Sequence, residues 1–136
     1  MRKRSQAREI ALQILYQIDL TRDQPQEALE NFWQAQKQQP DAGVKEFAAL
    51  LVNGVLSHLK EIDEQISRYA KNWQLKRMAV VDRNILRLGS FELLFGTDIP
   101  PKVAINEAVE LSKRFSGLEA AKFVNGILDG IRAQKT

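Results

Sequence analysis

The sequence predicts an all-α fold, a compact bundle of six or seven helices. Apolar residues recur every three or four positions along most of the 136 residues, which is the period of amphipathic helices. No segment alternates apolar and polar residues for long enough to predict a strand. The four prolines, at positions 25, 40, 100 and 101, lie between the periodic segments and so separate helices without interrupting them.

The first half of the chain contains three helical segments. The first begins near Ala7, with Ser5 as its N-cap residue. A shorter second helix is predicted from Gln26 to about Gln36. The third segment extends over residues 44–69, which is long for one helix in a small domain, so we predict a break near residues 57–60.

The second half contains three further helices. A loop around Trp73 leads to a helix from about Met78 to Phe95, which Gly96 ends as the C′ residue. The next helix carries the apolar stripe of residues 104–115 and is closed by Ser116 and Gly117. The last helix carries the stripe of residues 121–131.

Three glycines, Gly54, Gly89 and Gly126, fall inside these predicted helices. Each costs roughly 1 kcal/mol of helix stability relative to alanine. We expect close approach of neighbouring helices to explain all three.

The composition is that of a soluble single-domain protein, with 44% hydrophobic and 27% charged residues. No stretch approaches the roughly 18 uncharged apolar residues that would span a bilayer, and the N-terminal segment is too polar for a secretion signal. The absence of cysteine excludes disulfides and thiolate metal sites, so a cytoplasmic location is expected.

Positive charge is concentrated at the N-terminus. The first eight residues hold Arg2, Lys3, Arg4 and Arg8 and no acid, whereas residues 9–101 carry a net charge of −3. This distribution is typical of a protein with one face toward phosphate and another toward a basic protein. The alternative is a solvated basic tail that serves only solubility.

The sequence offers no catalytic site. His58 is the only histidine, and without cysteine or a second histidine it cannot build the usual nitrogen–sulfur metal sites. It lies in a helical pattern without the sharp turn that carries a catalytic serine, and no nucleotide-binding glycine motif occurs. The carboxylates of Glu107 and Glu110 are predicted on a solvated helix face. A binding protein without metal or cofactor is therefore favoured over an enzyme.

Two groups of residues do not fit a simple amphipathic pattern. Glu92 lies close to an apolar stripe, and we expect a structural latch in which its carboxylate accepts hydrogen bonds from amides of residues 98–103. The second group is Lys122, Phe123 and Asn125, because Phe123 is offset from the apolar stripe of the last helix. An exposed aromatic beside a lysine and an amide is typical of sites that stack unpaired bases. The alternative places Phe123 at the rim of the core.

Tyr16 presents the same two alternatives on the first helix, two turns beyond Arg8. If the first and last helices are neighbours, Tyr16 and Phe123 belong to one aromatic and basic strip.

At these positions the chain resembles the NusB family of bacterial transcription antitermination factors. The resemblance covers nearly the whole chain and is weakest between residues 23 and 43. Four sequence blocks carry it: REIALQILYQIDL (Arg8–Leu20), VDRNILRLGSFELL (Val81–Leu94), IPPKVAINEAVELSKRF (Ile99–Phe115) and KFVNGILD (Lys122–Asp129).

The resemblance implies a single domain of two packed helical subdomains, each of about three helices, at approximately residues 1–75 and 76–136, without catalytic activity. It implies binding of the boxA element of ribosomal RNA leader transcripts, together with a small-subunit ribosomal protein that doubles as the factor NusE. It further implies assembly with NusA and NusG on RNA polymerase.

The resemblance also implies roles for individual residues. The implied RNA contacts are Arg2, Lys3, Arg4, Arg8, Tyr16, Lys122, Phe123 and Asn125. Asp82 is implied on the side that meets the ribosomal protein, with Arg83 and Arg87 beside it. The chain departs from many relatives at residues 117–121, where Gly-Leu-Glu-Ala-Ala replaces a more polar stretch.

Two other functions stay open at the level of sequence. The N-terminal domain of rRNA cytosine methyltransferases also resembles NusB, but that function needs a large α/β catalytic domain, so this sequence would have to be a fragment. The other is a helical scaffold that binds protein alone, as a possible homodimer through the acidic middle of the chain.

Overall fold

Seven α-helices account for most of the residues that the computed structural model describes, which are 2–96 and 98–135. No strand occurs in these residues, so the predicted all-α class and helix number are confirmed. None of the described helices is long and apolar enough to cross a membrane. The helices are α1 (Lys3–Thr21), α2 (Pro25–Ala35), α3 (Ala42–Ser57), α4 (Leu59–Tyr69), α5 (Val80–Phe95), α6 (Pro101–Phe115) and α7 (Leu118–Lys135), and a 3-10 turn (Leu75–Arg77) precedes α5.

The helix starts follow local sequence chemistry, with one difference from prediction. Helix α2 begins at Pro25, whose missing N–H is harmless in a first turn. The predicted break in the third segment is confirmed, because His58 separates α3 from α4 with φ −116° and ψ 22°. Helix α1 begins at Lys3, four residues earlier than predicted, so Ser5 is a helical residue and not an N-cap.

The helix ends show one further difference. Gly117 closes α6 with a φ of 141°, and its N–H donates to the carbonyl of Ser112 at 2.8 Å. Gly96 follows the last helical residue of α5, as predicted, but as the C-cap and not the C′ residue, with a φ of −76° and a ψ of 127°. The chain therefore leaves α5 in an extended conformation at Gly96.

Helix α5 lies at the centre of the molecule. Except for Arg87, its residues from Asn84 to Leu93 are buried, and it packs against α1, α3, α4, α6 and α7. Helix α4 packs mainly on α5 and α7 and has few contacts with α3. Helices α1, α2 and α3 pack largely on one another, and α4, α6 and α7 pack largely on α5 and on each other. The division into subdomains near residue 75 stays a prediction.

Close helix packing explains two of the three glycines. A Cβ atom at Gly54 would lie 2.2 Å from Cζ of Phe91, and one at Gly89 would lie 2.8 Å from a methyl group of Leu128. At Gly126 a Cβ atom would meet nothing within 4 Å, so the expectation of close packing is wrong there. The tight glycine of α7 is Gly130, where a Cβ atom would lie 2.6 Å from the ring of Tyr69.

We expect Gly54→Ala and Gly126→Ala to change stability in opposite directions. The first should lower the free energy of unfolding by about 1–3 kcal/mol, because Phe91 must move out of a packed site. The second should raise it by up to about 1 kcal/mol, because alanine is the better helix former in open space. Equilibrium unfolding in urea measures both, and a loss of similar size at both positions would contradict the packing explanation.

Candidate nucleic-acid interface

The first turn of α1 presents the basic residues of the N-terminus on the surface. Arg2, Lys3 and Arg4 are all exposed, and no side chain caps the helix. The free N–H groups of a helix N-terminus and its dipole favour anions, so the basic side chains and the helix end both attract an anionic ligand. This arrangement suits the backbone of a nucleic acid.

Surface carboxylates hold two of these cations in place. Lys3 Nζ lies 2.8 Å from Asp41, and Arg4 Nη2 lies 3.1 Å from Asp98. The hydrogen bond and the charge of Asp41 raise the pKa of Lys3, while those of Arg4 lower the pKa of Asp98. Exposed pairs of this kind contribute little to stability, so phosphate groups can replace the carboxylates.

Arg8 is buried and is not available to RNA, which corrects its assignment as an RNA contact. Its guanidinium donates to both carboxylate oxygens of Glu92, at 2.7–3.0 Å, and to Glu107 at 3.0 Å. Glu107 also accepts a hydrogen bond from Ser5, so it does not lie on a solvated face as predicted. Arg8 is therefore a structural residue that joins α1 to α5 and α6.

Glu92 is a structural latch, as predicted, but with a different partner. It accepts its hydrogen bonds from Arg8 and not from the amides of residues 98–103. Burial raises the pKa of Glu92, and the hydrogen bonds and charge of Arg8 offset that effect only in part. Because the pKa of Glu92 is raised on folding, this carboxyl favours the folded state most below its unfolded-state pKa. That contribution to stability is lost as the pH rises through the folded-state pKa, and Arg8 makes the lost stability smaller.

Tyr16 and Phe123 do not belong to one strip. Tyr16 is 42% exposed on α1, which packs mainly on α2, α3 and α5. Phe123 lies on α7, which packs mainly on α4, α5 and α6. The two helices are not the neighbours that a single strip requires.

Phe123 is half-buried, while Lys122 and Asn125 on the same helix are exposed. Its ring meets that of Trp73 edge-on, with centroids 6.0 Å apart and an interplanar angle of 69°. Trp73 is 58% exposed, and its sequence context predicts only a loop. No periodicity identifies such a residue, because it lies outside every helix.

Arg83 and Arg87 are held in an internal network, which argues against their assignment to a partner surface. Arg83 donates two hydrogen bonds to Asp19 of α1, at 2.7 and 2.9 Å. Arg87 donates two to Asp63 of α4, at 2.9 and 3.0 Å, and a third to Asp19 at 3.2 Å. Asn84 adds a further hydrogen bond to Asp19. The network ties α1 and α4 to α5.

Asp19 is the centre of this network. Burial raises the pKa of Asp19, but the hydrogen bonds from Arg83 and Asn84 and the charges of Arg87 and Arg83 outweigh it, and the pKa lies below its usual value. A carboxyl whose pKa is lowered on folding contributes stability above its unfolded-state pKa of about 3.9. That contribution is complete at neutral pH and is lost as the pH falls through the folded-state pKa.

Asp82, in the first turn of α5, differs from its two neighbours in the predicted partner set. It is half-buried, and its Oδ1 has no hydrogen-bond partner among the described residues. A carboxylate oxygen removed from water without a partner is unfavourable. Of the three, Asp82 is the one that makes no ion pair among the described residues.

The described residues include no group of three or more histidine or acidic side chains that could hold a metal ion. The buried carboxylates Glu92 and Asp19 are hydrogen-bonded to arginines. These groups stabilise the fold and are not arranged as a general acid and base. The surface that the geometry offers is one for binding.

Comparison with known proteins identifies the family. The model of the NusB family matches residues 5–133. The chain is 53% identical over 135 residues to the transcription antitermination protein NusB of Myxococcus xanthus, across 96% of this chain and 95% of that relative.

Two solved structures are similar. One is T. maritima NusB, with a TM-score of 0.86 and 40% identity, covering 96% of this chain and 91% of that one. The other is a chain of the crystal structure of the antitermination factors NusB and NusE in complex with double-stranded RNA, with a TM-score of 0.88, 33% identity and 98% of both chains covered. The chain therefore belongs to the NusB family, and the prediction of an antitermination factor rather than an enzyme is confirmed.

We expect Arg8→Ala to lower the free energy of unfolding by about 3–5 kcal/mol, because it leaves the buried carboxylate of Glu92 without its partner. Arg4→Ala should cost less than about 1 kcal/mol, because the pair with Asp98 is exposed. Urea unfolding at pH 7 compares the two variants. Equal losses would mean that the burial of Arg8 does not matter to stability.

Proposed function

We propose that this member of the NusB family binds the boxA element of ribosomal RNA leader transcripts together with a NusE-type small-subunit ribosomal protein. In this proposal the complex joins NusA and NusG on RNA polymerase in the cytoplasm and prevents early termination. The observation that carries the proposal is the exposed basic first turn of α1, in a chain whose structure resembles a protein of a NusB–NusE–RNA complex.

The RNA contacts divide into two kinds. Arg2, Lys3 and Arg4 neutralise phosphates, which gives affinity that falls with salt and does not depend on sequence. Tyr16, at 42% exposure, supplies an aromatic surface for an unpaired base. Lys122, Phe123 and Asn125 supply a second surface of this type on α7, and Arg8 supports α1 from inside.

The contact with the ribosomal protein is proposed at Asp82. Asp82 is only half-buried and makes no ion pair among the described residues, so a lysine or arginine of the partner would be its charge partner. Arg83 and Arg87 contribute indirectly, because their network with Asp19 holds the start of α5 in position.

Fluorescence anisotropy with a labelled boxA-type RNA and a scrambled strand, with and without the ribosomal protein, tests the proposal as a whole. Preference for the boxA-type strand that tightens on addition of the partner supports it. Equal affinity for both strands, unchanged by the partner, would contradict it and favour a protein-only scaffold.

We expect the double variant Lys3→Ala/Arg4→Ala to bind RNA more weakly, because two phosphate contacts are lost. The slope of log affinity against log salt should become shallower by about 1.4, at roughly 0.7 for each contact to a single strand. A matched control is Lys60→Ala/Lys113→Ala, which removes the same charge from exposed lysines of α4 and α6. A control that changes the slope as much as the double variant would show that only net charge matters.

We expect Asp82→Lys to weaken binding of the ribosomal protein by at least tenfold, because a like charge faces the proposed cationic group. Affinity of the free chain for RNA should not fall. Asp82→Asn serves as the control for shape, and thermal unfolding checks that α5 still forms in both variants. Partner affinity that is unchanged by the charge reversal would remove Asp82 from the interface.

A further inference from the structure

We propose that the loop around Trp73 is an additional contact for single-stranded RNA, in which an unpaired base stacks on Trp73 and the adjoining phosphates meet Lys71 and Lys76. The inference rests on the proposed RNA-binding function and extends it to the connection between α4 and α5. The sequence resemblance assigns no role to this loop.

The loop carries a concentration of positive charge. Residues 68–77 include Arg68, Lys71, Lys76 and Arg77 and no acid, and all four side chains are exposed. None of the four makes an ion pair within the described part of the chain. Lys3 and Arg4, by contrast, already have carboxylate partners, so the loop cations are the more available for a polyanion.

Trp73 supplies the aromatic surface between these cations. More than half of the residue is exposed, and it borders an open depression of about 590 Å³ lined by residues 67 and 70–76. Its edge-on contact with Phe123 connects the loop to α7, where Lys122 is exposed. The loop and the α7 cluster therefore form one continuous basic and aromatic surface.

The loop is held in shape before any ligand arrives. The N–H of Trp73 donates to the carbonyl of Ala70 at 3.1 Å, and that of Arg77 donates to Gln74 at 2.9 Å. Arg83 of α5 donates to the carbonyl of Leu75 at 3.3 Å, and Ala70 is buried. An aromatic side chain on a fixed backbone loses little conformational entropy when it binds.

Single-stranded RNA is the occupant that best matches this combination. Unpaired bases have flat faces that stack on tryptophan, and their phosphates pair with lysine and arginine. A double helix would offer the phosphates but keep its bases stacked internally. An acidic protein segment would satisfy the cations but would offer no flat base to stack on Trp73.

The two tryptophans of the chain allow a direct test of stacking. Trp33→Phe leaves Trp73 as the only tryptophan, and Trp73→Phe leaves only Trp33, which is half-buried on α2 against Phe32. A short unstructured RNA should quench the fluorescence of the first variant and leave that of the second unchanged. Absence of quenching at Trp73 under conditions where anisotropy shows RNA to be bound would overturn the proposal.

Affinity measurements give the second test. Trp73→Ala should weaken binding of the same RNA at least fivefold, as expected for loss of one base–aromatic stack, while Trp73→Phe should retain most of the affinity. Lys76→Ala should make the salt slope shallower by about 0.7, and Lys60→Ala, at the far end of α4, should not change it. Thermal unfolding confirms that each variant is folded.

The outcomes separate this inference from the proposed function. Loss of RNA affinity in Lys3→Ala/Arg4→Ala but not in Trp73→Ala would overturn the loop contact and leave the proposed function standing. Loss of affinity for the ribosomal protein alone in Trp73→Ala would overturn the inference, because the loop would then be a protein-binding surface.

Discussion

The buried ion pair between Arg8 and Glu92 is the interaction on which the rest of the structure depends. It crosses 84 residues of sequence and joins the first helix to the central one inside the core. A guanidinium with two carboxylates, those of Glu92 and Glu107, fixes three helices at one point. Arg8 lies one turn after Arg4, so its contacts fix the position of the first turn of α1 and of the exposed cations there.

A second arginine–carboxylate cluster joins the C-terminal end of α1 to α5, and there α1 supplies the carboxylate and α5 the arginines. Near its start α1 supplies a cation to an acid of α5, and near its end it supplies Asp19 to Arg83 and Arg87 of α5. Arg8, near the start of α1, contacts Glu92 near the end of α5, and Asp19 near the end of α1 contacts Arg83 near the start of α5, so the two helices are antiparallel. A shift of one helix along the other would break both contacts. Buried charge therefore sets direction and register, while apolar packing supplies the bulk of the stability.

Periodicity and composition were sufficient for the class, the helix number and the junction at His58, because each depends on neighbours in sequence. They failed where the deciding neighbour is distant. The local sequence groups Arg8 with the exposed cations before it, since nothing nearby indicates an acid 84 residues away. Gly54 and Gly126 give the same prediction of close packing, because the sequence does not show whether a helical glycine faces an aromatic ring or solvent. Trp73 has no signal in the sequence, because a loop has no hydrophobic period.

The early start of α1 fixes the positions of the N-terminal cations Lys3 and Arg4. Residues from Lys3 onward are helical, with Lys3 directed to the start of α3 and Arg4 to the loop before α6. In a disordered basic tail, the loss of backbone entropy would cost roughly 1–2 kcal/mol of binding free energy for each residue fixed on binding. Here that loss is already part of folding, so Lys3 and Arg4 are held at fixed positions toward two different parts of the bundle.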